Sequence, residues 1–204
     1  MKGLLRKDLY MIVKYCRTLL VICGIFLLVA AVAPGDNLFL LVYPVLLGGV
    51  LPVTLLSYDE RFHWDATCDT MPISRRTVVS ERYLMSLLSF LALYLLTLAV
   101  QAAVLLPRGY GAALGQIALV LPAMGLLPSS ILLPVMFRFG VEKGRIVYFF
   151  VIGAFVAVFL IFTNNIVTLG SSAGAGGWAA TLASIALFVL SWLLSIRLYE
   201  KREL

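Results

Sequence analysis

The sequence predicts an all-α integral membrane protein with six transmembrane helices, and three observations carry that reading. The chain is 62% hydrophobic, with a mean hydropathy of +1.04. Only 13% of its 204 residues are charged, about half of the ~25% that a soluble domain carries. Those charges gather in four short clusters and leave six apolar runs between them, each long enough to cross roughly 30 Å of hydrocarbon as a helix. Lipid offers no hydrogen-bond partners, so each crossing segment must satisfy its own backbone, which selects helices.

The spans fall at roughly 18–34, 38–57, 83–106, 112–137, 146–163 and 178–197. Their orientation follows from the bases. Lys2, Arg6, Lys7, Lys14, Arg17, Arg61, Arg75, Arg76, Arg82, Arg138, Lys143, Arg145, Arg197, Lys201 and Arg202 all fall on one side, and Arg108 alone falls on the other. The basic side is the cytoplasm, so an even number of spans places both termini there. Residues 1–204 then form one multi-pass domain of the cell membrane. The net charge of +6 lies at the ends of apolar runs and makes no separate patch of the kind that binds nucleic acid.

Before the first span, MKGLLRKDLYMIVKYCR is too charged to cross the membrane. Leu5, Leu9, Ile12, Val13 and Cys16 recur at helical spacing with bases between them, which fits an interfacial helix over residues 1–17 or a charged flank of the first span. Ala31-Val32-Ala33 resembles a signal-peptide cleavage site. Pro34 directly after it, the long basic start and the five later spans argue against cleavage. The three cysteines, Cys16, Cys23 and Cys68, have no metal-ligand spacing.

The cytoplasmic loop 58–82 between spans two and three is the long polar stretch of the chain. Asp59 and Glu60 at its start suit a helix N-terminus, which places a short helix there. Phe62 and Trp64 supply aromatic anchors, with Tyr58, Arg61 and His63 in the same stretch, and such anchors dominate protein interfaces. Met71-Pro72 ends any helix, and Ser74 is placed to cap the entry into span three. The same residues would equally make an interfacial aromatic belt with inside-positive charge, which needs no partner.

Later elements are plainer. Gly48-Gly49 and the small residues of span five permit close helix packing. Span four holds Pro122, Pro128 and Pro134, which read as gating hinges or as tolerated kinks. Gln101, Ser129, Ser130, Asn164 and Asn165 are the polar side chains near or within spans, available to bond between helices or to line a substrate path. The stretch 163–177 is a loop or a half-helix dipping into the membrane.

Enzyme chemistry finds little support. His63 is the one histidine, which excludes multi-histidine metal sites, and no GxxxxGK[ST] loop is present to hold ATP. Ionisable residues at mid-depth, the mark of proton-coupled carriers, are missing from the spans.

The order Asp59-Glu60, Phe62, Trp64, then Pro72-Ile73-Ser74-Arg75-Arg76, Val78-Val79 and Glu81-Arg82-Tyr83 before an apolar span resembles the permease subunits of ABC-2-type transporters. The opening Leu4-Leu5-Arg6-Lys7-Asp8-Leu9 is similar to that family's start, and the small permeases of phenol-soluble-modulin exporters form the nearest subgroup. The resemblance implies a separate ABC-type ATPase that binds ATP and Mg, with no cofactor in this chain. It implies a coupling helix within Tyr58–Met71 seated in that ATPase, and a second permease copy, identical or a close paralogue. Export of hydrophobic or amphipathic cargo, peptides among them, follows as the expected function. A structural or assembly membrane protein without transport is the alternative.

Overall fold

The computed structural model describes residues 2–32, 38–62, 64, 74–105, 107, 111–166 and 173–200, and every regular element among them is helical. In chain order these are α1 (Lys2–Tyr15), α2 (Arg17–Val32), α3 (Leu38–Arg61), α4 (Arg75–Leu105), α5 (Gly111–Ile166) and α6 (Ala173–Glu200). Three segments are long and apolar enough to cross a membrane: Arg75–Ala103, Leu121–Gly140 and Gly177–Tyr199. α1 and α2, bent by 69° at Cys16, make a fourth if taken as one broken span.

α5 has 56 residues and would run ~84 Å if straight, nearly three times the hydrocarbon thickness. It reverses instead. Gly140 has φ 76° and ψ 172°, a region open essentially to glycine alone. A Cβ at Gly144 would collide with the Met136 side chain, although eight residues of straight helix would separate the two by ~12 Å. Tyr148 and Val151, past the break, pack on Leu132 and Met136 before it and on Val50 and Val53 of α3. The reversal falls inside the polar segment expected between spans four and five. It belongs to Gly140, and none of the three α5 prolines leaves helical angles.

The first half of α5 is the centre of the bundle, with α3, α4 and α6 against it. Val45, Val79, Phe90, Leu121, Leu133 and Phe188 are buried together there. Gly49 lets α3 come close against α5, since a Cβ would overlap the Gly125 carbonyl. Ser89 Oγ donates to the Gly48 carbonyl at 3.0 Å and ties α4 into the same layer. The outer faces are apolar: Leu182, Leu190 and Leu193 on α6 and Leu95 on α4 are more than half exposed. Water rejects such a surface and hydrocarbon accepts it.

Two expectations need correction. Tyr58 to Arg61 are the last turn of α3, so Asp59 and Glu60 sit at a helix C-terminus and not at the start of a new helix. There the dipole disfavours carboxylates, and neighbouring cations must offset it. α4 begins at Arg75, so helix already covers the end of the expected loop. Ser74 caps it as expected, accepting the Thr77 N–H at 3.3 Å. α1 turns one face to the bundle. Leu4, Asp8, Met11, Ile12 and Cys16 form its inward stripe, while Leu9, Tyr10 and Val13 are exposed beside Arg6 and Lys14. The stripe is set by Asp8, a carboxylate that must reach a cation inside.

Candidate functional site

The inward Asp8 meets that cation in Arg82 of α4, and the contact organises one end of the bundle. Arg82 Nη1 donates to Asp8 Oδ2 at 2.5 Å, and its Nη2 pairs with Asp59 Oδ2 of α3. The α1 ammonium completes the joint, with Lys7 Nζ donating to both Asp59 oxygens at 3.0 and 3.1 Å and lying 3.3 Å from Asp8 Oδ1. One guanidinium and one ammonium therefore clamp three helices that are far apart in sequence. Arg82 is 2% exposed and Asp8 fully buried. At such burial the desolvation cost is met only if every charge keeps its partner.

The cluster is not fully satisfied. Glu81 is also buried, with Oε2 3.8 Å from Arg82 Nε, and its Oε1 has no hydrogen-bond partner among the described residues. Three carboxylates thus face two cations, and Glu81 is the member least provided for.

Tyr83 carries the neighbouring joint, to α6. Its hydroxyl lies 2.7 Å from both Ser191 Oγ and Ser195 Oγ. Ser191 donates its one proton to the Ser130 carbonyl at 2.5 Å, so Tyr83 donates to Ser191 and accepts from Ser195. The tripeptide Glu81-Arg82-Tyr83 therefore turns one way to α1 and α3 and the other way to α6 and α5.

Around this hub the sequence-selected residues divide. Tyr58 stacks on Tyr15 of α1 with ring centroids 5.0 Å apart, and Phe62 reaches the same ring at 6.2 Å. Phe62 remains 59% exposed. Trp64 is half-buried with Lys7 Nζ 4.1 Å over its ring. Asp59, Glu60, Trp64, Arg82 and Tyr199 line a narrow cleft, while Arg61 points outward. His63, Met71 and Pro72 lie outside the described residues. Gln101, Ser129 and Ser130 are buried, and the two serine hydroxyls donate to the carbonyls of Leu126 and Leu127 in their own helix. The backbones of Asn164 and Asn165 lie in α5, and their side chains are outside the described residues.

Sequence reasoning passed over Lys7, Asp8 and Arg82 as a unit. The available signal was a carboxylate on the apolar stripe of α1, which demands a buried cation. Among the described residues no group of three or more His, Cys, Asp or Glu side chains is placed to hold a metal. What the cluster does is mechanical: it ties the end of α3 to α1 and α4.

No curated protein and no solved structure was found to match the chain. A family model described as an ABC-2 family transporter protein matches residues 3–200. The match takes in the charge cluster, the Tyr83 joint and all the apolar helices. The chain belongs to the ABC-2 transporter family and is a multi-pass membrane permease of that family.

Proposed function

We propose that this chain is the membrane-spanning half of an exporter driven by a separate ABC-type ATPase, to which it couples through the segment Tyr58–Pro72. The observation that carries this reading is Asp59. It stands in the last turn of α3, where that segment leaves the bundle, and is held by Arg82 of α4 and Lys7 of α1. A push delivered to Phe62 or Trp64 is passed to three helices together. ABC-2 permeases generally work with such an ATPase, which supplies the ATP and Mg site that this chain has no P-loop to form.

The proposal includes six spans, with α2, α3 and the second half of α5 joining the three long apolar segments. It also includes cytoplasmic termini, α1 lying along the inner interface, and two copies facing each other, since six helices are few to enclose a path. The exposed face of α1 mixes Leu9, Tyr10 and Val13 with Arg6 and Lys14, which suits the headgroup boundary. The cargo is hydrophobic or amphipathic, with peptides favoured by the resemblance to small peptide-exporting permeases. Topology has its own check: cysteines placed at Asp36, Arg108 and Ser171 react with an impermeant thiol reagent on sealed cells, and Cys68 does not. Reaction at Cys68 overturns the orientation.

Function is tested by reconstitution in liposomes. The chain alone hydrolyses no ATP and moves no peptide, and adding its ATPase produces both. Turnover by the isolated chain, freed of contaminants, contradicts the permease reading.

A further inference from the structure

Two buried carboxylate oxygens in the charge cluster have no hydrogen-bond partner among the described residues, Glu81 Oε1 and Asp8 Oδ1. Glu81 is 2% exposed and Asp8 fully buried. Their carboxyls nevertheless lie within hydrogen-bonding reach of each other, across the contact of α4 with α1. Ionised carboxylates only accept, so two of them side by side repel and form no hydrogen bond. One proton between them reverses both statements.

The neighbouring cations are committed elsewhere. Arg82 directs Nη1 to Asp8 Oδ2 and Nη2 to Asp59. Lys7 Nζ hydrogen-bonds both Asp59 oxygens and stands 3.3 Å from Asp8 Oδ1. Arg82 Nε has no hydrogen-bond partner among the described residues, yet Glu81 Oε2 stops 3.8 Å from it. An ionised Glu81 would close on that N–H, because charge-assisted bonds of this kind run at about 2.7–2.9 Å. The chain's amino terminus acts on Glu81 more weakly than Lys7 does, and Tyr199 of α6 acts on Arg82. We infer that one proton, taken from water, is shared between Glu81 and Asp8, joining α4 to α1 through a carboxylic acid–carboxylate pair. Glu81 carries the proton and donates it to Asp8, which stays ionised against Arg82. Two carboxylates, Asp8 and Asp59, then face two cations, Arg82 and Lys7, and the cluster balances. A proton held by the folded chain and released on unfolding contributes stability that fades as the pH rises. The docking of α1 is therefore pH-sensitive, whatever the chain transports.

The test is infrared spectroscopy of the purified chain in detergent at neutral pH, in water and in D2O. The parent shows the carbonyl stretch of a protonated carboxylic acid, and the band shifts in D2O. Glu81→Gln, which has the shape of the protonated acid, keeps its helical spectrum and lacks the band. Asp8→Asn, which removes the acceptor, lacks it too, whereas Glu60→Gln, at a half-buried carboxylate of α3, retains it. Unfolding temperatures give a second reading. Between about pH 6 and pH 9 the parent falls relative to Glu81→Gln by about 2–4 °C. An ordinary glutamate, titrating near about 4.3, is ionised throughout that range and leaves the difference constant. Absence of the band from the parent, its persistence in Glu81→Gln or Asp8→Asn, its loss in Glu60→Gln, or a constant difference across the pH range overturns the proposal.

Discussion

At the scale of single residues, Arg82 decides how this end of the bundle holds together. It sits between Asp8 and Asp59, and its own helix adds Glu81. Removing one partner of a buried ion pair leaves an uncompensated charge, at a cost of about 3–5 kcal/mol. Arg82→Gln is therefore expected to lower the unfolding free energy in detergent by roughly that amount. Glu81→Gln removes the carboxylate that lacks a full set of partners, and is expected to change stability by less than about 1 kcal/mol or to raise it. Denaturant titration of the two variants beside the parent checks both. Equal losses would mean that the cluster is a general polar contact and not a clamp centred on one guanidinium. The sequence alone showed each of these residues as an ordinary inside-positive charge or as its acidic neighbour. Asp8 and Arg82 are 74 positions apart, and no local periodicity relates them.

At the scale of elements, positions were more legible than ends. Charge gaps and apolar runs fixed where helices lie, because a segment in hydrocarbon has no other way to satisfy its backbone. Boundaries moved wherever a side chain found a tertiary partner. α3 runs on to Arg61 since Lys7 and Arg82 neutralise Asp59 at a terminus that otherwise repels it. Proline drew attention to α5 as a source of bends, yet the break belongs to Gly140, where φ 76° suits glycine alone. Gly140→Ala is expected to cost about 1–3 kcal/mol. Gly115→Ala in the same helix, whose Cβ would meet nothing within 4 Å, is expected to be neutral or to gain up to about 1 kcal/mol. Unfolding of the pair under the same conditions tests whether the reversal is held by that one residue.

At the scale of the whole molecule, the account joins a lipid-facing bundle to a polar segment that leaves it beside a buried clamp. Composition alone indicated the first, and the family match over residues 3–200 agrees with it. The clamp needed three dimensions. The central claim is that force enters through the aromatics next to Asp59, and the most direct measurement is ATPase capture by detergent-solubilised variants, with peptide-stimulated hydrolysis read beside it in liposomes. Buried aromatic anchors contribute on the order of 2 kcal/mol or more at an interface, against about 0–1 kcal/mol for an exposed ion pair. Phe62→Ala and Trp64→Ala are accordingly predicted to weaken capture at least ~30-fold or to uncouple hydrolysis from transport, with membrane insertion intact. Charge changes at Asp69 or Lys201 are predicted to alter capture less than about fivefold. Parental capture and coupling by both aromatic variants would contradict the account.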